Sequence, residues 1–126
     1  LARTISSLSR SMVLSGPWGA RMLFKVGINE ILSQPELEDL SLRKHFGHII
    51  DSFEDNLGEL SELTDYGNPR VFIGKESPIS AAEDFSMIVS KCRLLSDEGV
   101  IVILGPKRMN YKKNLQLLNS LINLLE

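Results

Sequence analysis

Three places in the chain combine side-chain type and spacing in ways that could do chemistry. His45 and His48 stand three residues apart, so on a helix they share one side. Two imidazoles at that spacing chelate a metal if a third ligand arrives. The run is His-Phe-Gly-His, without the glutamate that follows the first histidine of a metalloprotease helix, so solvated surface histidines are the expectation. Cys92 lies between Lys91 and Arg93, whose charges could lower a thiol pKa. No cysteine–histidine signature surrounds it, and it reads as a small, partly buried structural residue. The densest feature is Gly105-Pro106-Lys107-Arg108-Met109-Asn110-Tyr111-Lys112-Lys113, with four basic side chains at the expected start of a helix. Such a junction can hold an anion. Without a P-loop or a G-x-G-x-x-G run anywhere in the chain, a structural corner with a solvated basic rim is the preferred reading. No Ser-His-Asp order or paired-carboxylate pattern stands out. The chain is therefore not expected to be an enzyme, and no cofactor or metal is expected.

The elements that must position these residues follow from hydrophobic period. Ile5, Leu8 and Met12 form a short helical stripe, and Ser15-Gly16-Pro17-Trp18-Gly19 then interrupts regular structure. Residues 1–20 are accordingly read as a helix tail and linker, and 21–126 as the domain. Arg21–Val26 suits a short strand and 29–32 a single helical turn. Gln34-Pro35-Glu36 marks a helix start, with Pro35 where a missing N–H has no partner to lose. From about Leu42, the residues Leu42, Phe46, Ile49, Ile50, Phe53, Leu57 and Leu60 recur at three- and four-residue steps and predict a long amphipathic helix. The pattern then shortens to strands at 69–74, 84–94 and 99–104, with a hairpin turn at Asp97-Glu98-Gly99. Val100-Ile101-Val102-Ile103-Leu104 is continuously apolar, so both faces of that strand should be covered. Asn110 suits the N-cap of a final helix striped by Tyr111, Leu115, Leu118, Ile122 and Leu125.

Composition bounds the reading. The chain has 126 residues, net charge −2 and 43% hydrophobic residues, enough for one core and ordinary for a soluble domain. Its acidic balance argues against a free-standing nucleic-acid binder. Residues 36–65 carry nine acidic and two basic side chains, interleaved with apolar ones, as the solvated face of a helix would. Leu1 in place of Met suggests a piece of a longer protein.

At the basic corner the sequence also becomes familiar. Val102-Ile103-Leu104-Gly105-Pro106-Lys107-Arg108-Met109-Asn110-Tyr111 resembles the G-P-T-R-M-[DN]-Y signature of the HrcA family of bacterial heat-inducible transcription repressors. Ile31-Leu32-Ser33-Gln34-Pro35-Glu36-Leu37 resembles that family's L-L-x-Q-P-E-F, and Ile73-Gly74-Lys75-Glu76 its I-G-x-E-N. Ser86-Met87-Ile88-Val89 followed by Gly99-Val100-Ile101 is similar to a further run. Lys107, Leu37 and Ser77 depart from the usual Thr, Phe and Asn.

The resemblance implies an α+β, GAF-like domain, an antiparallel-rich sheet flanked by helices and left incomplete by the cut. It implies the regulatory and dimerisation portion of a cytoplasmic heat-shock gene repressor. The winged helix that reads operator DNA would lie elsewhere, so no DNA-contacting residue is expected here. A homodimer and the chaperonin GroEL are the implied partners. A small-molecule-sensing GAF-like domain is the alternative. The signature residues Gly105, Pro106, Arg108, Met109 and Tyr111, then Gln34, Pro35 and Glu36, then Gly74 and Glu76 are assigned first to structure, with Arg108 anchoring the corner and Tyr111 packing beneath the last helix.

Overall fold

The apolar run of the last strand organises the molecule. In the computed structural model, which describes residues 11–17, 24–65, 68–77, 83–94 and 97–125, that strand is β5 (Asp97–Pro106). It lies at the centre of a five-stranded antiparallel sheet ordered β2-β1-β5-β4-β3. The others are β1 (Met12–Pro17), β2 (Phe24–Val26), β3 (Arg70–Ile73) and β4 (Phe85–Leu94). Strand side chains alternate between faces. Val100, Val102 and Leu104 therefore join one core, with Met12, Leu14, Met87 and Val89, while Ile101 and Ile103 join another, with Val13, Ile88 and Cys92. Both faces are covered, as the unbroken apolar run requires.

The first face is roofed by α1 (Ile28–Leu32), a 3₁₀ turn at Pro35–Glu38 and the long helix α2 (Leu40–Glu62). The recurrence of Phe46, Ile49, Phe53 and Leu60 on α2 becomes its buried stripe. The rings of Phe46 and Phe85 meet at 5.9 Å and 51°, a tilted contact between helix and sheet. Phe53 is fully buried, so truncation to Ala would cost about 3–5 kcal/mol. The second face is covered by α3 (Tyr111–Leu125) through Leu118, Leu121 and Ile122. The result is the α+β, GAF-like arrangement of an antiparallel sheet flanked by helices.

Two expectations near the ends of elements are corrected. The helical stripe and break read into residues 1–19 fall partly on residues 1–10 and 18–19, which lie outside the described ones. Within them, Met12–Pro17 is a strand, paired from Met12↔Leu104 to Pro17↔Gly99. The turn residues Ser15, Gly16 and Pro17 hid the alternation of Met12 and Leu14 to one face and Val13 to the other. Burial beside β5 overrides the local preference. The strand therefore belongs to the same sheet as the rest of the domain, not to a linker. Likewise Asp97, Glu98 and Gly99 are not a turn. They pair with Leu94, Arg93 and Cys92 as the first residues of β5, and residues 95–96 lie outside the described ones. Pro35 opens a separate 3₁₀ turn before the long helix, whose N-terminus is capped instead by Asp39. Its Oδ1 accepts from Ser41 N at 2.8 Å and Leu42 N at 3.4 Å.

Candidate functional site

The basic corner is built by the end of β5 and the start of α3. Pro106 is the last residue of β5, opposite Phe85. The chain turns with Met109 N donating to the Pro106 carbonyl at 3.0 Å. Asn110 then caps α3, its Oδ1 accepting from Lys113 N at 3.0 Å, as the sequence suggested. Gly105 is buried where the corner folds back on β1. A Cβ there would stand 2.6 Å from Ser11 Oγ and 3.3 Å from Met109 Sδ, so no larger residue fits without movement. The sulfur of buried Met109 also lies 3.2 Å from the Asn114 amide nitrogen, and Asn114 Oδ1 has no hydrogen-bond partner among the described residues. The hydroxyl of half-buried Tyr111 donates to the Lys107 carbonyl and shares a 2.9 Å hydrogen bond with buried Ser86, tying the start of α3 to β4.

The fold brings the three sequence signatures to this one corner. Arg108 Nη2 donates to Gln34 Oε1 at 2.6 Å and to Glu36 Oε1 at 3.0 Å, and its Nε lies 3.0 Å from Glu36 Oε2. The planar guanidinium thus grips the carboxylate with two nitrogens, a geometry that a lysine could not reproduce. Pro35, between the two partners, fixes the backbone that presents them. Gly74 supplies the third contact. It is buried in a left-handed conformation, φ 58, at the start of the 3₁₀ turn Gly74–Glu76. A Cβ added to it would come within 3.1 Å of Lys107 Cε and 3.2 Å of the Glu83 carbonyl. Lys107, a departure from the usual Thr, therefore lies across Gly74. Glu76 is exposed on the same turn.

The other chemistry candidates do not assemble. His45 is half-buried and His48 exposed on α2. Among the described residues no group of three histidine, cysteine or acidic side chains is placed to hold a metal. Cys92 is fully buried in the core under α3, more deeply than expected. No helix among the described residues is long and apolar enough to cross a membrane. Beside Arg108 an open, polar concavity of about 480 Å³ is lined by Glu30, Ser33, Gln34 and Pro35. Sequence reasoning missed Ser11 and Glu83, which complete the corner, and gave no role to Ser86, although it opens one of the family-like runs. No local pattern marks Ser11 or Glu83, since each lies just before a strand and meets the corner only through the tertiary fold.

Comparison with known proteins identifies the family. Residues 1–115 match the family model described as HrcA protein C terminal domain. Heat-inducible transcription repressor HrcA of Oceanobacillus iheyensis is 34% identical over 100 residues, covering 79% of this chain and 29% of that protein. The repressor of the same name from Clostridium tetani is 30% identical over 105 residues, covering 82% of this chain and 29% of that protein. The chain thus spans less than a third of the length of these curated relatives. A crystal structure of a hypothetical protein at 2.2 Å resolution superposes with a TM-score of 0.63 at 21% identity, covering 82% of this chain and 32% of the other. That likeness concerns the fold.

Proposed function

The chain belongs to the HrcA family through its C-terminal domain, and from that premise we propose that it is the regulatory and dimerisation portion of a heat-shock gene repressor that works in the cytoplasm. It carries no catalytic step and needs no cofactor. Its part is to hold two DNA-reading domains at operator spacing and to make their placement depend on its own folded state. The observation that carries this reading is the convergence of Gln34–Glu36, Gly74 and Gly105–Tyr111 on one corner. That corner fastens the helical layer on one face of the sheet to the helix on the other. A joint of this kind can pass a change in folding to whatever is attached.

Operator binding tests the reading. A labelled inverted-repeat duplex at physiological salt is titrated with this chain and with a longer polypeptide of the same family that includes an N-terminal DNA-binding domain. The longer protein is expected to bind as a dimer, more tightly in the presence of GroEL, and this chain not to bind specifically. Tight, sequence-specific binding by this chain alone would overturn the division of labour. A second reading is a small-molecule sensor, for which the open concavity beside Arg108 is the place to look. A metabolite retained through purification and lost in an Arg108→Ala variant would establish it.

A further inference from the structure

Residues 28–39 are held to the rest of the fold by few anchors. The segment consists of a five-residue helix and a four-residue 3₁₀ turn, neither with a side-chain N-cap bond. Helices this short do not persist without tertiary support. Support comes from the buried side chains of Ile31 and Leu37, from half-buried Leu32 packed against the same core, from Arg43 Nε donating to the Leu37 carbonyl, and from Arg108. The segment also turns Ile28 outward, 43% exposed, and Leu40 just beyond it is 66% exposed, so part of its apolar content is already in water. One end pivots on Gly27, left-handed at φ 88, and the other stops at the Asp39 cap. Arg108 reaches the middle of the segment from the opposite end of the sequence, and its bonds lie in solvent, with side-chain exposures of 57% for Arg108 and 33% for Glu36.

We propose that Arg108, Gln34 and Glu36 form a releasable clasp, and that residues 28–39 open as a flap about Gly27 when it lets go. A solvent-exposed ion pair is screened by salt, so the clasp weakens as ionic strength rises. Heat acts through the flap itself, because the backbone entropy recovered by freeing it grows in weight with temperature. Opening withdraws Ile31 and Leu37 from the core and bares the apolar face that they share with Phe46 and Leu104. The domain thereby contains a local, reversible transition, below global unfolding, that displays hydrophobic surface.

Hydrogen exchange read by mass spectrometry tests this on the full chain, across temperature and NaCl concentration. In the unmodified protein, peptides covering 28–39 should exchange faster than those of β4 and β5, and faster still in about 1 M NaCl. Arg108→Gln and Glu36→Gln should each accelerate exchange of 28–39 roughly two- to fivefold while leaving β4 and β5 unchanged. The double variant should add little to Arg108→Gln, because that substitution already removes the Glu36 contact together with the Gln34 one. Arg108→Lys should fall between, keeping the charge without the fork. Exchange of 28–39 in step with β4 and β5 at every temperature would overturn the proposal. So would indifference of the segment to salt in the unmodified chain, a result that needs no variant to fold. The readout is independent of DNA, so operator binding by this chain would overturn the division of labour proposed above and leave this inference standing.

Discussion

Gly105→Ala is the perturbation whose cost can be worked most directly from the structure. Gly105 is buried at the end of β5, and its backbone is not left-handed, so the cost is one of space. The new methyl would lie 2.6 Å from Ser11 Oγ, closer than real Cβ contacts, with Met109 Sδ at 3.3 Å and Ser11 Cβ at 3.4 Å behind it. Ser11 is itself buried, so its hydroxyl has little room to yield. Overpacking of this kind costs about 2 kcal/mol. For a chain of this size that is a fall of about 7 °C in Tm, or about 1 M in the urea midpoint at unchanged slope. Removing the obstructing oxygen should return much of the loss. The Ser11→Ala/Gly105→Ala double variant should be more stable than the sum of its singles by about 1 kcal/mol or more, since only the two looser contacts remain. Urea unfolding of the four proteins, followed by circular dichroism, closes the cycle. Additivity within about 0.5 kcal/mol would refute the contact, and with it the placement of β1 against the corner.

Three further outcomes follow from the same geometry. Gly74→Ala combines a left-handed backbone with a methyl 3.2 Å from the Glu83 carbonyl, and should lose about 1–3 kcal/mol in denaturant melts. Asn110→Ala removes the oxygen that accepts from Lys113 N and should cost about 1 kcal/mol, while Asn110→Ser or Asn110→Asp keeps most of it. Cys92, fully buried under α3, should react with a thiol reagent such as DTNB only as fast as the chain opens, so that its labelling rate rises in step with unfolding in urea. Rapid labelling of the native protein would place the thiol at the surface instead.

Much of the architecture was legible in side-chain period. The long helix from Leu40 to Glu62 was visible in the recurrence of Phe46, Ile49 and Phe53. The central strand was visible in five consecutive apolar residues, and the last helix in Asn110 and the leucines after it. These segments carry their own pattern because each buries a face that repeats along it. The signature residues were legible too, as short runs of specific type. β1 was not legible, because Ser15, Gly16 and Pro17 speak locally for a turn, and only the place between β2 and β5 makes them a strand.

What the sequence by itself determined, then, is the set of pieces: two amphipathic helices, apolar strands, and three short motifs of fixed residue type. What only the tertiary structure decided is that these motifs form one corner. Gln34 and Arg108 stand 74 residues apart, and nothing local in either tells it of the other. The antiparallel pairing of β4 with β5 and of β3 with β4 sets Gly74 beside Lys107, and the helical roof sets Glu36 beside Arg108. Hydrophobic period is a property of neighbours along the chain. A guanidinium meeting a carboxylate across two elements is a property of how the layers stack, and stacking is settled only when the whole core closes.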